Sequence, residues 1–329
     1  MFSRLIRAAL LAATPLSVSA APVPANDAQR GLAALQAMDA RVAAVGERLA
    51  VRGAPLCGDR QMRSGLLVHG LAQYAPAARA DAAALFGLGD APAVLAVVPG
   101  SGADRAGLQA GDAIIAVEGD DVATATAPQG AARFDAVQRV EDRIEAGLAD
   151  GALSLTIRRD GRERAVRVTG DEGCASRFQM IPATRLNASA GPYVSVTSAI
   201  VEFVASDDEL ALVLAHELSH NILKHGARLD RQGTSRGLLR AFGKNPGRIR
   251  ATEDEADRMA LYLMARAGYD IAVAPAFWDR FGRRTGFGMF SDRTHSGRRD
   301  RMALAVREIA LIRAQQARGE APTPDFAGR

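Results

Sequence analysis

Apolar residues recur at intervals of three and four between residues 27 and 51, among alanines and charged positions. The members of this pattern are Leu32, Leu35, Met38, Val42, Val45 and Leu49. Such intervals place apolar side chains on one side of a helix, so the segment is predicted to be an amphipathic helix. Gly53, Pro55 and Gly58 follow directly and are expected to end it.

A different rhythm follows, in which short apolar runs alternate with glycine-rich turns and two helical stretches. The runs lie at 65–71, 94–98, 113–117, 153–157 and 165–168, and the helical stretches at 77–86 and 134–148. Runs of this length bounded by turn residues are typical of strands. Residues 63–172 are therefore predicted to form a small domain of strands and helices, of a common domain size.

The last part of the chain, residues 173–329, has mainly helical spacing. Residues 187–196 are predicted to be a strand broken at Gly191-Pro192, and a proline at that point favours an edge strand. Ser206 is expected to cap a long helix, with Glu209 three residues on completing a capping box. Its apolar positions are Leu210, Val213, Leu214, Leu218, Ile222 and Leu223. A second helix is predicted over 251–267.

Composition excludes some classes of protein. The 329 residues are 48% hydrophobic and 24% charged, which is ordinary for a folded chain and argues against wholesale disorder. The 41 basic residues are arginine except for Lys224 and Lys244, and they alternate with acids to give a net charge of only +4. This is the pattern of solvated helix faces rather than of a basic stripe, so no nucleic-acid partner is expected.

The first 20 residues have the pattern of a signal peptide. Arg4 and Arg7 precede the apolar run 8–18, and Val18-Ser19-Ala20 is a small-residue cleavage site, with Ala21 as an alternative. The other interpretation is a buried amphipathic helix. No other run reaches the roughly 18 apolar residues of a membrane helix. We therefore predict export to a bacterial periplasm, no transmembrane segment in the mature chain, and an N-terminal helical segment over 21–62.

The two cysteines, Cys57 and Cys174, bracket the predicted small domain. Because exported proteins occupy compartments where disulfides persist, we expect the two to be paired. Two unpaired buried thiols are the alternative.

The clearest chemical pattern is His216-Glu217-Leu218-Ser219-His220, inside the long predicted helix. Histidines four apart lie close together on a helix, so both imidazoles can reach one metal ion. Glu217 lies beside them and can accept a proton from a water that attacks a carbonyl. The alternative is two helix histidines satisfied by other partners.

A catalytic zinc needs a third protein ligand, which is expected from a second element. Glu253 and Asp257 are four apart in the second predicted helix, so one can bind the metal while the other accepts a hydrogen bond from a ligating imidazole. Acids early in a helix are also favoured by its dipole, which is the structural alternative. A site of two histidines and a carboxylate can hold other divalent ions as well as zinc.

Two resemblances extend these predictions. The stretch VVPGSGADRAGLQAGDAIIAVEGDDV, residues 97–122, resembles the signature of bacterial PDZ domains, although Gly102 stands where proline is usual. The resemblance implies that the C-terminal strand of a partner polypeptide adds to the sheet edge of residues 63–172. Its carboxylate is expected near Phe86, Gly87, Leu88 and Gly89. The alternative is a rigid spacer with a degenerate groove.

The second resemblance is to the HtpX-like and CAAX-prenyl-protease family of zinc metallopeptidases. It is carried by His-Glu-x-x-His, by Glu-x-x-Ala-Asp-x-x-Ala at 253–260, and by Asn187, Ala188, Ser189 and Ala190. It implies a gluzincin-type, mainly helical zincin domain with one zinc per chain, held by His216, His220 and Glu253. It also implies Glu217 as general base, Asp257 supporting a ligand, and an edge strand at 187–196 that receives substrate. The soluble periplasmic members are the closer relatives.

Three further histidines are assigned less directly. The family often has Thr-His-Pro where this chain has Thr294-His295-Ser296, which suggests that His295 steadies an oxyanion or caps the site. A surface-loop histidine is the alternative. His225 is expected about 180° around the helix from His216, too far to share the ion. His69 lies in an apolar run and is interpreted as structural.

Together these patterns predict an α+β metalloendopeptidase that cuts exported, misfolded or envelope polypeptides, with the PDZ-like domain recruiting or regulating substrate. Two other classes of function stay open. One is a chaperone or binding protein that retains a capped, inactive site, and the other is an exopeptidase or narrow processing enzyme.

Overall fold

The computed structural model describes residues 26–122, 129–234, 245–285 and 297–326. The predicted signal peptide at 1–20 and His295 lie outside these ranges. Within them, no helix has both the length and the apolar content needed to cross a membrane. The described chain mixes helices with several sheets, which is compatible with the predicted α+β class.

The first element is the predicted amphipathic helix, α1 (Asp27–Gly53). Asn26 begins it with a reciprocal cap, because its side chain accepts from the Gln29 backbone and the Gln29 side chain accepts from the Asn26 backbone. Its second half buries Val42, Val45 and Leu49 against the helical core. Pro55 lies in the single 3-10 turn that follows.

A short two-stranded stem comes next. Strand β1 (Arg60–Arg63) pairs antiparallel with β8 (Asp171–Cys174), so that Arg60 lies opposite Cys174 and Arg63 opposite Asp171. The predicted disulfide between Cys57 and Cys174 is present at the base of this stem, with 5.5 Å between the two Cα atoms. We call residues 64–170, which leave and rejoin the chain at the stem, the inserted region.

The inserted region contains an antiparallel sheet in which each predicted apolar run becomes a strand. The strands are β2 (Leu66–His69), β3 (Ala93–Val97), β4 (Ala113–Val117), β5 (Asp120–Asp121), β6 (Ala152–Arg159) and β7 (Arg162–Thr169). The order is β2-β3-β4-β6-β7, with β5 beside β4. Its helices are α2 (Arg79–Phe86), α3 (Gly102–Arg105) and α4 (Asp135–Gly147). Helix α4 buries Val137, Val140 and Ile144, at the helical spacing that predicted it.

The rest of the chain surrounds a three-stranded sheet of order β10-β11-β9. These strands are β9 (Arg177–Ile181), β10 (Ala188–Ser189) and β11 (Tyr193–Thr197). The prediction of one broken edge strand over 187–196 was wrong. Gly191 and Pro192 form the turn of a β10–β11 hairpin, which places β10 at the edge and β11 in the middle, parallel to β9. Proline lacks the N–H that a central strand needs, and the turn removes that requirement.

Six α-helices lie in the described residues of this part. They are α5 (Ser198–Phe203), α6 (Asp207–Ile222), α7 (His225–Arg231), α8 (Asn245–Ala267), α9 (Ala274–Thr285) and α10 (Arg298–Ala317). The predicted capping box at Ser206 is only half formed. The Ser206 hydroxyl accepts from the Glu209 backbone, whereas the Glu209 carboxylate accepts from the Ala205 backbone and binds Arg280. Helices α6 and α8 pack together and share one apolar core with α1 and α9.

Candidate metal centre

The contact between α6 and α8 brings the three predicted ligands together. The two Nε2 atoms of His216 and His220 are 3.3 Å apart. An Oε atom of Glu253 lies 3.3 Å from Nε2 of His216, and its second oxygen lies 3.7 Å from Nε2 of His220. One ligand atom from each of the three residues falls within 4.8 Å of the others. The helix repeat sets the first pair, and packing of α8 supplies the third member.

This donor set fits a divalent metal. Two imidazole nitrogens and a carboxylate are the ligands of one class of catalytic zinc site, which keeps its fourth position open. All three side chains are largely buried, between 9% and 16% exposed, so their orientations are restrained by packing. The residues present can therefore hold one zinc ion.

The other ring nitrogen of His216 contacts the predicted supporting carboxylate. Its Nδ1 lies 2.8 Å from Oδ1 of Asp257, and Asp257 also accepts two hydrogen bonds from Arg301. Burial raises the pKa of Asp257, but the Arg301 charge and the His216 contact outweigh it and lower the pKa to about 2. Burial lowers the pKa of His216, but Asp257, Glu253 and Glu217 outweigh it and raise the pKa to about 10. The negative charge that produces this shift also favours a bound cation.

The predicted general base is buried beside the ligands. Glu217 lines a small cavity with His216, Trp278, Phe281 and Arg301. Ala188 of β10 lines the same cavity, so the edge strand of the sheet reaches the site. A carboxylate in this position can exchange a proton with a group bound between the ligands and β10.

The four residues predicted to receive substrate lie at the hairpin. Ala188 and Ser189 form β10, and Asn187 and Ala190 flank them. One side of β10 pairs with β11, and no strand in the described part of the chain pairs with its other side. The Asn221 side chain donates to the Gly191 carbonyl at 2.9 Å, which ties the hairpin turn to α6.

His225 lies beside the candidate ligand His220, although it was predicted to face away from the metal site. The prediction assumed that α6 continues past residue 225, but α6 ends at Ile222 and Lys224 adopts a left-handed backbone with φ of 50°. The chain therefore turns back, and Nδ1 of His225 lies 2.9 Å from Nδ1 of His220. The left-handed position is held by a lysine rather than a glycine, and the nearby Gly226 lies inside α7, so the sequence does not place the break. His225 stays outside the set of candidate ligands.

Arg301 and Glu255 are the other site residues that the sequence analysis missed. Arg301 stacks on Trp278, with its guanidinium carbon 3.4 Å from the ring centroid, while it binds Asp257. It is one of several arginines in the run 298–301, and nothing in that run distinguishes it. Glu255 lies between Glu253 and Asp257 and contacts His225 and Arg228.

The loop predicted to bind a C-terminal carboxylate lies in the inserted region, between α2 and β3. Gly87 ends α2 with φ of 64°, and Leu88 is buried. Gly89 lines a cavity of about 610 Å³ whose opposite wall is α4. His69 is buried, with Nδ1 2.8 Å from the Tyr74 hydroxyl and its ring against Phe86, in agreement with a structural role.

Helix α4 connects the inserted region to the three-stranded sheet. Arg177 of β9 forms hydrogen-bonded ion pairs with Glu145 at 2.7 and 2.6 Å and with Asp142 at 2.6 Å. The Tyr193 hydroxyl of β11 donates to Glu141, and its ring meets Phe134 edge-on. The inserted region therefore contacts the hairpin that carries β10.

Comparisons with known proteins match part of the chain to a peptidase family. Residues 172–242 match the model of peptidase family M48. A putative beta-barrel assembly-enhancing protease of Vibrio cholerae is 30% identical over 176 residues, which cover 44% of this chain and 36% of that protein. The mitochondrial metalloendopeptidase OMA1 of Schizosaccharomyces pombe is 31% identical over 114 residues, covering 29% and 34% respectively. The chain thus spans about a third of the length of these curated relatives.

The crystal structure of the HtrA3 PDZ domain bound to a phage-derived ligand shares 17% identity, with a TM-score of 0.26, over 34% of this chain and 88% of that one. That likeness is too low to support an argument. The family match and the named relatives support a metalloendopeptidase. Over residues 172–242, the segment that carries His216, Glu217 and His220, the chain is similar to metallopeptidases of family M48.

Proposed function

We propose that this protein is a zinc-dependent endopeptidase that hydrolyses internal peptide bonds of exported polypeptides. The observation that carries the proposal is the convergence of His216, His220 and Glu253, from two separate helices, beside the buried carboxylate of Glu217. A zinc ion held by these ligands would supply Lewis acidity toward the scissile carbonyl.

Glu217 performs the proton transfers in this mechanism. Its carboxylate accepts a proton from the attacking water, and the same proton passes to the amine nitrogen as the C–N bond breaks. Asp257 fixes the orientation of His216, because it accepts a hydrogen bond from Nδ1 and so leaves Nε2 free to face the other ligands. His295, which lies outside the described residues, is proposed to steady the developing oxyanion.

The unpaired side of β10 is the proposed substrate site. A polypeptide added there as a further strand would gain backbone hydrogen bonds from residues 187–190 and would pass the cavity shared by Ala188 and Glu217. Backbone pairing of this kind requires no chain terminus, which favours internal cleavage over release of single residues.

The finer assignments rest on the sequence patterns. We propose a HtpX-like subtype, a periplasmic location after cleavage near residue 20, and a PDZ-like module over residues 63–172 that selects polypeptides by their C-termini. The antiparallel sheet of β2–β7 and the cavity beside Gly89 and α4 are compatible with such a module. Recruitment of misfolded envelope proteins is the cellular role that these assignments suggest.

The test compares residues 21–329 with the Glu217→Gln variant and with Glu202→Gln, which alters an exposed glutamate of α5 as the control. Each protein is assayed for bound metal and for cleavage of an unfolded protein, with and without a chelator. We expect one zinc in all three, and chelator-sensitive internal cuts from all except Glu217→Gln, whose rate should fall by about 10²–10⁴-fold. Absence of metal from the wild type, or release of single residues only, would refute the proposal.

A further inference from the structure

We propose that His225 is a positioning residue that holds the second metal-ligating histidine, His220, in its ligating orientation. The inference rests on the proposed metal site and deepens it. Nδ1 of His225 lies 2.9 Å from Nδ1 of His220, on the side of the His220 ring away from the other ligands. On the far side of His225, Nε2 lies 3.2 Å from a carboxylate oxygen of Glu255.

The direction of each hydrogen bond follows from the ligand role. To bind the metal ion, Nε2 of His220 must keep its lone pair unprotonated, so the ring proton belongs on Nδ1. That Nδ1–H can donate only if Nδ1 of His225 accepts, which places the His225 proton on Nε2. Nε2–H then donates to Glu255, which also accepts from Arg228 at 2.7 Å. One arrangement of protons therefore satisfies the hydrogen-bonded row of His220, His225 and Glu255.

The burial of this row fits a fixed role. His225 is 1% exposed, and Glu255 is also buried. A buried imidazole and carboxylate are costly to leave without hydrogen-bond partners, so they restrain one another. The two residues come from different helices, α7 and α8, so the contact also fixes α7 against the metal-binding helices.

The arrangement gives each ligating histidine its own carboxylate. Asp257 contacts His216 directly, whereas Glu255 reaches His220 through the His225 ring. The left-handed backbone of Lys224 makes the second contact geometrically available, since it reverses the chain between α6 and α7. A non-glycine residue in this conformation is strained, and the contacts of α7 must offset that strain.

Two substitutions at position 225 separate the His220 contact from the Glu255 contact. His225→Asn retains an acceptor near the place of Nδ1 and loses the reach to Glu255. His225→Gln retains a donor near the place of Nε2 and loses the acceptor for His220. Zinc affinity is measured by competition with a chromophoric chelator, the coordination geometry by the visible absorption of the cobalt-substituted protein, and stability by melting of the metal-free protein.

We expect zinc affinity to fall about 10–100-fold in His225→Gln, with an altered cobalt spectrum, and less than about 3-fold in His225→Asn. Equal affinities and unchanged cobalt spectra in the two variants, whatever their melting temperatures, would overturn the inference and leave His225 as a packing residue. A wild type that binds no zinc would instead refute the proposed function itself, and with it this inference. Zinc binding by the wild type therefore distinguishes the two failures.

Discussion

Arg301 holds both carboxylate oxygens of Asp257, with 2.6 Å from Nε to Oδ2 and 2.5 Å from Nη2 to Oδ1. Both side chains are almost fully buried, and Trp278 covers the guanidinium plane. Because Asp257 in turn contacts Nδ1 of His216, the position of one proposed ligand depends on a residue of α10, far along the chain.

Replacement of Arg301 by glutamine should therefore weaken metal binding. The variant leaves Asp257 with fewer partners and frees the orientation of His216, so we expect zinc affinity to fall about 10–100-fold. Arg301→Lys should also be impaired, since lysine keeps the charge but cannot form the two-point contact. Chelator competition gives the affinities, and Arg298→Gln, at a more exposed arginine bound to Asp279, is the control. Equal affinity in Arg301→Gln and Arg298→Gln would contradict the prediction.

Removal of the disulfide should destabilise the whole protein. The Cys57–Cys174 bridge spans a sequence separation of 117 residues, for which the chain-entropy account gives about 4–5 kcal/mol. We expect the double Cys57→Ser, Cys174→Ser variant to lose about 2–5 kcal/mol in denaturant unfolding. A reductant should destabilise the wild type by a similar amount and leave the variant unchanged. No effect of reductant on the wild type would show that the bridge does not contribute.

Loss of Arg177 should loosen the contact between α4 and the sheet. Its side chain is 16% exposed and pairs with Glu145 and Asp142, so Arg177→Ala should cost about 1–3 kcal/mol. Hydrogen exchange should accelerate in α4 and in the β10–β11 hairpin together. The control is Arg139→Ala, which removes a 65% exposed arginine of α4 and should change stability by less than about 0.5 kcal/mol. Faster exchange in α4 alone would refute coupling to the hairpin.

His69 should make stability fall in mild acid. Burial lowers the pKa of His69 from 6.5 to about 4, so the folded state resists protonation that the unfolded chain accepts. The contribution of neutral His69 to the free energy of unfolding is complete above pH 6.5. It is lost as the pH falls toward 4, by up to about 3 kcal/mol. His69→Phe keeps a ring against Phe86 and cannot titrate. The unfolding free energy of the wild type should therefore fall more steeply than that of the variant between pH 7 and pH 4, and parallel pH profiles would contradict this.

Local spacing predicted much of this molecule because helix geometry is fixed. The positions of His216 and His220 within one turn, and of Val137, Val140 and Ile144 on α4, follow from the 3.6-residue repeat alone. The strands of the inserted region were also predictable, because their apolar runs are short and bounded by turn glycines.

The missed features depend on contacts between elements. The sequence does not place the end of α6 or the turn at Lys224, because the left-handed residue is a lysine and the nearby Gly226 lies inside α7. These two features decide where His225 points. The hairpin at Gly191-Pro192 was predicted as one interrupted strand, because glycine and proline occur both in turns and where a strand is broken. Arg301 became distinct from its neighbours only through the packing of α10 against Asp257.

The stem of β1 and β8 affects which insertions and deletions the chain can tolerate. Arg63 and Asp171 face each other across paired strands, so the chain rejoins its path about 5 Å from where it left. A segment with adjacent ends can be lengthened, deleted or exchanged without rerouting the backbone on either side of it. The stem and its disulfide thus allow residues 64–170 to vary in length and sequence during evolution while the backbone that enters and leaves the rest of the fold keeps its path.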